Sequence, residues 1–367
     1  MADAERSERA KSLLDRLSEV PRFAGSAEEA RARAMCRQEL ERAGFSCVEL
    51  PFEYSQWPGR WGPPVAAVFQ AATIVVVARM AVHQGALAAL LIGAALLTAL
   101  MLASGDAKRR WTAQFPFQRA GSINLEARRG NPEVWLVAHI DSKSQTVPML
   151  MRIGSSVALG VITASVLILL LISIVRGGPP QSLWHAFAIA AVIGALPSAL
   201  CFVRNASPGA VDNASGVAAV LIASQLDSSA RDLGVLITSG EELGLAGARE
   251  WAARASPGIF VINCDTVDDA GGWHCMYTGP RPRGIVSGAE TIAGRLGFKL
   301  AVGRLIPGIL ADSMAFADRG IESVTVSRGT LSTLARIHTR RDTSHALTGS
   351  SVADAGVLLS SLAKELG

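Results

Sequence analysis

At 367 residues the chain has room for two or three average domains, or for one large domain with insertions. Half of its residues are hydrophobic, only 18% are charged and the mean hydropathy is +0.32, a balance that sits badly with a wholly soluble protein. The net charge of +4 and pI near 9 fit an anionic lipid surface and give no argument for nucleic acid, and five cysteines without regular spacing argue against a disulfide framework.

Taken in order, Ser7 to Val20 reads as an amphipathic helix, broken at Pro21-Arg-Phe-Ala-Gly25. Ser26 with Glu29 three residues on reads as a capping box, opening a helix that runs to about Ala43 and stops at Gly44. Phe45 to Phe52 alternates as a strand. No signal peptide is expected, because the start is highly charged and the first apolar run begins near residue 63.

Four apolar stretches follow. Val65 to Ala78 has only Gln70 and Thr73 as polar residues, and Gly85 to Ala103, Ile153 to Val175 and Ala186 to Val203 carry no charge. A helix needs about 20 apolar residues to cross a bilayer, so they are expected to be four transmembrane helices in two hairpins. The first would be the shortest, tilted or thinning the lipid. Trp57, Trp61, Trp111 and Trp184 stand at segment ends, where amphipathic rings collect at the lipid boundary. Ala89 with Gly93 and Ala190 with Gly194 have the spacing that lets membrane helices approach closely, and Pro197 should kink the fourth helix.

Between and after the hairpins the pattern is α/β. Ser122 to Arg128 is expected as a strand, then Val134 to Ala138 as a strand buried on both faces that runs into His139 and Asp141. Residues two apart on a strand share a face, so the Asp141 carboxylate is placed to orient the His139 ring. From that stretch alone, a core histidine beside a solvated aspartate reads equally well. Helices are expected at 214–226, 245–254, 284–296, 311–318 and 352–366, and strands at 233–238, 259–264 and 323–326. Alternating strands and helices imply a mostly parallel sheet with helices on both faces. The organisation expected is residues 1–62, 105–147 and 205–367 as one catalytic domain, interrupted by membrane hairpins at 63–104 and 148–204.

Acidic and imidazole side chains recur where these elements end: His139 and Asp141, Glu241 and Glu242, and Asp265, at the sheet edge where α/β proteins bind ligands. Asp212 precedes a helix, where a plain N-cap is the alternative, and His338 lies in a loop. Two imidazoles with several carboxylates suit zinc, or cobalt or manganese.

In order and context, His139-Ile-Asp141, Asp212-Asn-Ala-Ser-Gly216, Glu241-Glu242, Asp265 and His338-Thr-Arg-Arg-Asp342 resemble the M28 zinc peptidases, a family of aminopeptidases with two co-catalytic zinc ions; Pro21 to Ser26 resembles the family's opening. The resemblance covers nearly all of the soluble part and none of the apolar stretches. It implies a zinc-dependent exopeptidase-like fold with two metal ions. His139 and Asp265 would bind one, Glu242 and His338 the other, and Asp212 would bridge both. Asp141 would orient His139, and Glu241 would be the general base. One departure is Ala311-Asp312-Ser313, where the family often has Ser-Asp-His; this puts substrate contacts in doubt, not the metal ligands.

His139 and Asp212 must reach one cluster although a hairpin separates them, so the catalytic parts are expected on one membrane face. Arg60, Lys108, Arg109, Arg110, Arg152 and Arg204 flank the helices on that side, against Arg79 and Arg176 on the other, from which a cytoplasmic face is expected, although many members of the family it resembles work outside the cytoplasm. The expected protein is a multi-pass membrane metallopeptidase, an aminopeptidase acting on a peptide or small amide, with the lipid bilayer as partner and no nucleic acid. Other zinc-dependent amide chemistry (deacylation or glutaminyl cyclisation) and a catalytically inactive membrane binding protein are the alternatives.

Overall fold

The computed structural model describes residues 3–104 (backbone alone for 99–104), 115–226, 232–306 and 308–367. The chain divides into two units: Met1–Tyr54, Arg119–Ser144 and Arg204–Gly367 form one, and Ser55–Gln118 with Gln145–Val203 form the other.

The first unit is built on an eight-stranded sheet. Its strands are β1 (Ser46–Ser55), β2 (Arg119–Arg129), β3 (Val134–His139), β4 (Leu233–Thr238), β5 (Phe260–Val267), β6 (Gly272–Tyr277), β7 (Leu300–Arg304) and β8 (Glu322–Gly329). Their spatial order is β1-β2-β4-β3-β5-β8-β6-β7. The central neighbours β4, β3, β5 and β8 are parallel, while β2 joins β4 and β6 joins β8 antiparallel. The sheet is thus mostly parallel, as the alternation of elements implies. Every residue of β3 and β4 is buried, which is why both read as unbroken apolar runs rather than alternating ones.

Helices α1 (Asp3–Leu17) and α2 (Ala27–Arg42) open the unit. Ser26 caps α2 by accepting from Glu29 N–H at 3.1 Å, but Glu29 returns its carboxylate to Gly25 N–H at 2.7 Å, one residue before the cap. After the second unit's helices come α7 (Ser215–Leu226), α8 (Ala246–Ala252), α9 (Arg283–Arg295), α10 (Ser313–Ala317), α11 (Leu331–Arg336) and α12 (Ser350–Leu366). α7 and α12 pack on each other and on the central strands. On the opposite face Trp135 of β3 meets Trp251 of α8, ring centroids 4.7 Å apart, and Trp251 meets Phe316 of α10 at 5.8 Å. The indole of Trp135 lies across its β4 partner Gly234, where a Cβ would come within 2.3 Å of the ring. Strands β6 and β7 and helix α11 were not foreseen. They sit at the sheet's end or in a loop and are partly exposed, so no long apolar period marks them.

The second unit consists of α3 (Trp57–His83), α4 (Ala86–Ser104), α5 (Met149–Arg176) and α6 (Gln181–Ala199). α3, α5 and α6 are long and apolar enough to cross a membrane. α4 is apolar throughout its described side chains, but only Ala86–Thr98 is described as an apolar helix, short of a span. The unit's interior includes Ile74, Val77, Ala89, Leu159, Leu170, Trp184 and Ala191. Outward it presents Val68, Leu91, Val157, Val161, Ile168, Ile189 and Ile193 to the surroundings.

Several expectations change here. The first apolar helix is 27 residues long, not the shortest, because it starts at Trp57 and continues through Pro63 and Pro64. Pro58 falls in its first turn, where backbone donors lack partners in any helix. Pro197 lies in the last turn of α6, so it ends that helix rather than kinking its middle. Trp184 is buried inside the unit, at 2% exposure, instead of facing the lipid boundary; Trp111 lies outside the described residues. Ala89 and Gly93 do meet a neighbour closely, a Cβ on Gly93 coming 3.0 Å from Val77. Ala190 is exposed, and the buried small pair on α6 is Ala191 and Ala195. Gln70 of α3 donates to Thr163 of α5 at 2.9 Å, pairing two polar side chains within an apolar unit.

Candidate metal centre

Three parallel neighbours, β4, β3 and β5, end side by side and deliver the chemistry. His139 is the last residue of β3, opposite Thr238 of β4. β4 runs through Ser239 and Gly240 into a single 3-10 turn carrying Glu241 and Glu242. Asp265 lies near the end of β5. Asp212 precedes α7, and Gly216 in that helix is a close approach: a Cβ there would meet Asn213 Oδ1 at 2.2 Å and the Cys264 carbonyl at 2.3 Å. His338 follows α11 in the left-handed region, φ 60°, a conformation that costs a non-glycine residue energy and needs its surroundings to hold it.

These side chains converge. His139 Nε2 lies 3.2 Å from Asp212 Oδ1, 3.7 Å from Asp265 Oδ1 and 3.9 Å from Glu241 Oε2. His338 Nε2 lies 2.9 Å from Asp212 Oδ2 and 3.2 Å from Glu242 Oε1. The ligand atoms of His139, Asp212 and Asp265 fall within 4.8 Å of one another, as do those of Asp212, Glu242 and His338. Asp212 belongs to both groups and turns one carboxylate oxygen to each histidine.

The Asp141 carboxylate does something other than the sequence suggests. His139 Nδ1 lies 3.0 Å from the Asp141 backbone carbonyl, whereas the carboxylate is 3.7 Å away. That carboxylate instead accepts the N–H groups of Glu241 and Glu242, at 3.2 and 3.3 Å. It orients the glutamate turn, and the main chain orients the ring. The hold on the glutamate turn follows from β3 and β4 being adjacent, which the local sequence does not reveal.

Other positioning groups were not foreseen. Asp342 accepts from Val211 N–H at 2.8 Å and Asp212 N–H at 3.2 Å, fixing the loop that presents Asp212. Arg22, fully buried, donates to the carbonyls of Ile140, Pro208 and Gly209, and so ties the opening loop to the two stretches carrying Asp141 and Asp212. Lys143 Nζ lies 2.7 Å from Glu242 Oε2. Asp312 is buried beside the site and accepts from Thr238; Ser313 next to it turns to Thr325 at 2.7 Å in the core. The only sequence signals for this group were that Arg22, Asp312 and Asp342 fall inside motifs already noted.

Asp141, Asp212, Glu241, Glu242, Asp265 and Asp312 are all buried. Six carboxyls cannot all ionise out of water without cations or protons to offset them. Burial, and then the charges of Glu242, Asp265 and Asp312, push Glu241 well above the carboxylate range. Burial also raises Asp312, to about 7. Burial opposes the charged form of Asp212, yet His139 and His338 hold it well below its usual range. For His139, burial lowers the value, but Glu241 and its hydrogen-bonding carboxylates raise it well above normal. The Nε2 of His139 and the Nδ1 of His338 are buried with no hydrogen-bond partner. Once deprotonated, the Nε2 atoms of His139 and His338, 2.9 to 3.9 Å from the carboxylates, offer lone pairs of the kind a divalent metal of the zinc type requires, so the donor set fits such an ion.

The sheet and the strand-end cluster define an α/β protein of the aminopeptidase fold. Residues 191–363 match the family described as Peptidase family M28, the family its motifs resemble. That segment includes Asp212, Glu241, Glu242, Asp265 and His338, and excludes His139. No curated protein matches the chain. Among solved structures it is similar to an aminopeptidase from Aneurinibacillus sp. strain AM-1, with TM-score 0.59 at 15% identity over 98% of this chain and 93% of that one. A zinc aminopeptidase from Bacillus subtilis gives 0.57 at 15%, over 97% and 94%. A glutaminyl cyclase from Fimbriiglobus ruber gives 0.54 at 14%, over 98% and 95%. At such identities the likeness is one of fold.

Proposed function

We propose that the protein is a membrane-anchored dizinc aminopeptidase. The observation that carries this reading is Asp212, whose two oxygens face His139 and His338 at 3.2 and 2.9 Å. A carboxylate split in this way suits a bridge between two ions. His139, Asp212 and Asp265 would hold one ion, and Asp212, Glu242 and His338 the other; zinc is the metal, with cobalt or manganese able to replace it. When bound, such a pair supplies Lewis-acid polarisation of the scissile carbonyl and a lowered water pKa.

The chain's own residues do the rest. Glu241 stands beside the first group, its Oε2 3.9 Å from His139 Nε2, and precedes Glu242 of the second in the chain. It takes the proton of the attacking water and returns it to the leaving amine, a role that suits a carboxyl whose proton affinity is raised. Asp141 holds Glu241 and Glu242 through their main chain, and Asp342 holds the Asp212 loop.

In this reading α3, α5 and α6, with α4 as the fourth helix, anchor the protein as two hairpins, and the excess of Lys and Arg on the catalytic side supports a cytoplasmic catalytic unit. Glutaminyl cyclisation is the second reading, supported by the likeness to a glutaminyl cyclase at nearly the same score. Metal analysis of the detergent-purified protein, with aminoacyl reporters and an N-terminal glutaminyl peptide assayed in parallel, tests both. About two zinc ions per chain with release of the reporter group supports the aminopeptidase; ring closure without release supports the cyclase; neither metal nor turnover overturns both.

A further inference from the structure

Residues 141–143 grip residues 241–242 at several points. Beside the two main-chain bonds to the Asp141 carboxylate, Lys143 makes three contacts with Glu242. Its N–H donates to Oε1 at 3.3 Å, and its Nζ donates to the Glu242 carbonyl at 3.0 Å and lies 2.7 Å from Oε2. The pair is largely withdrawn from water, with 11% of the Lys143 side chain and 4% of the Glu242 side chain exposed. It is therefore not one of the rim ion pairs that contribute little.

The consequence lies in how the two oxygens of Glu242 differ. Oε2 is tied to the ammonium, and Oε1 is the oxygen 3.2 Å from His338 Nε2. A carboxylate free at both oxygens can rotate or chelate through both, whereas one held by a cation offers a single oxygen in a single direction. We infer that Lys143 is a positioning residue that makes Glu242 a one-oxygen ligand of the His338 subsite, an inference resting on the two-ion reading above.

Two effects oppose each other. A positive ammonium repels a divalent ion, while a fixed ligand lowers the cost of binding one. The repulsion is offset by the negative charge of Glu242, whose Oε2 lies 2.7 Å from the ammonium. Removing a group that orients a metal ligand typically weakens binding about 10- to 100-fold, so orientation wins here. The other subsite has its own restraint, Thr266 Oγ1 donating to Asp265 Oδ1 at 3.0 Å, and it is expected to be indifferent to Lys143.

The test uses the full chain in detergent with Co2+ as the probe, read by its visible absorption bands. His139→Ala isolates the His338 subsite, and His338→Ala isolates the other. Lys143→Met in the first background should raise the Co2+ dissociation constant about 10- to 100-fold and alter the band shape as Glu242 changes its mode of binding. In the second background it should leave both near the parent values. Lys143→Arg, which keeps a cation within reach, should restore most of the affinity, and Lys143→Gln serves as a second neutral variant if Lys143→Met does not fold. Unchanged or tighter binding at the His338 subsite, or equal loss at both subsites, overturns the inference. Failure of the parent and both single-histidine proteins to bind Co2+ at all instead overturns the two-ion reading itself.

Discussion

Ala206 donates its backbone N–H to the Ser144 hydroxyl at 3.0 Å. Ser144 is where the first unit's chain stops before the second pair of apolar helices, and Ala206 lies two residues after Arg204, where it resumes. Although 62 positions separate them, the two ends are one hydrogen bond apart. The sequence argument that His139 and Asp212 must reach one cluster requires such a closure.

Replacing the residues between Ser144 and Ala206 with a short Gly-Ser linker should therefore leave a unit that folds and binds metal. Loop length alone matters little, since doubling it changes closure by about 0.6 kcal/mol. Zinc content and cleavage of a small soluble reporter should match the parent, while a peptide tethered to vesicles should be cleaved less well. A linker form that folds but binds no zinc would show that the helices are part of the site, and equal treatment of both substrates would show that they are an anchor alone.

Glu241→Gln keeps the shape of the proposed base and removes its proton acceptor. Turnover should fall about 100-fold or more, the usual scale for such a loss, with zinc content near the parent's. Asp212→Asn should instead release metal, because one of the oxygens facing the two histidines becomes an amide nitrogen. Zinc measured by atomic emission on both variants decides the assignment; equal loss would mean the roles are exchanged or absent.

Glu29 carries a pH prediction that lies outside the metal cluster. It is buried, accepts from Gly25 N–H at 2.7 Å and from Ser239, and burial followed by the charge of Asp141 pushes it up to about 7. A carboxyl whose folded pKa is raised binds more protons folded than unfolded. Its stabilisation is complete below the unfolded value near 4.5, is lost as pH rises toward 7, and changes little beyond. The shift corresponds to about 3 kcal/mol. Glu29→Gln cannot ionise, so its stability relative to the parent should rise by roughly that amount between pH 4.5 and 8. Thermal unfolding of parent and variant across this range would measure it, and a constant difference would show that Glu29 does not change charge.

Topology is open to labelling. In a cysteine-free background, a single cysteine at Gln84 or Gly178, between the helices of each pair, should react with an impermeant reagent applied to intact cells. One at Leu331, 72% exposed in the catalytic unit, should react only after permeabilisation. The opposite pattern would put the catalytic unit outside and overturn the charge argument.

Much of this protein was legible in the chain because the physics behind it is local. Buried parallel strands must be apolar along their whole length, so β3, β4 and much of β5 could be read with His139, Glu241 and Asp265 at or near their ends. Bilayer-length apolar runs mark α3, α5 and α6 wherever they pack. What the amino-acid order could not decide was which side chains meet across it. That the Asp141 carboxylate takes the main chain of Glu241 and Glu242, rather than the His139 ring two residues away, depends on β4 lying beside β3. The contact of Lys143 with Glu242, 99 positions away, and that of Asp342 with Asp212, 130 away, likewise exist only once the strands are ordered in the sheet. Hydrogen bonds act over about 3 Å, and no pattern along a chain reports such a distance until the tertiary structure has closed it.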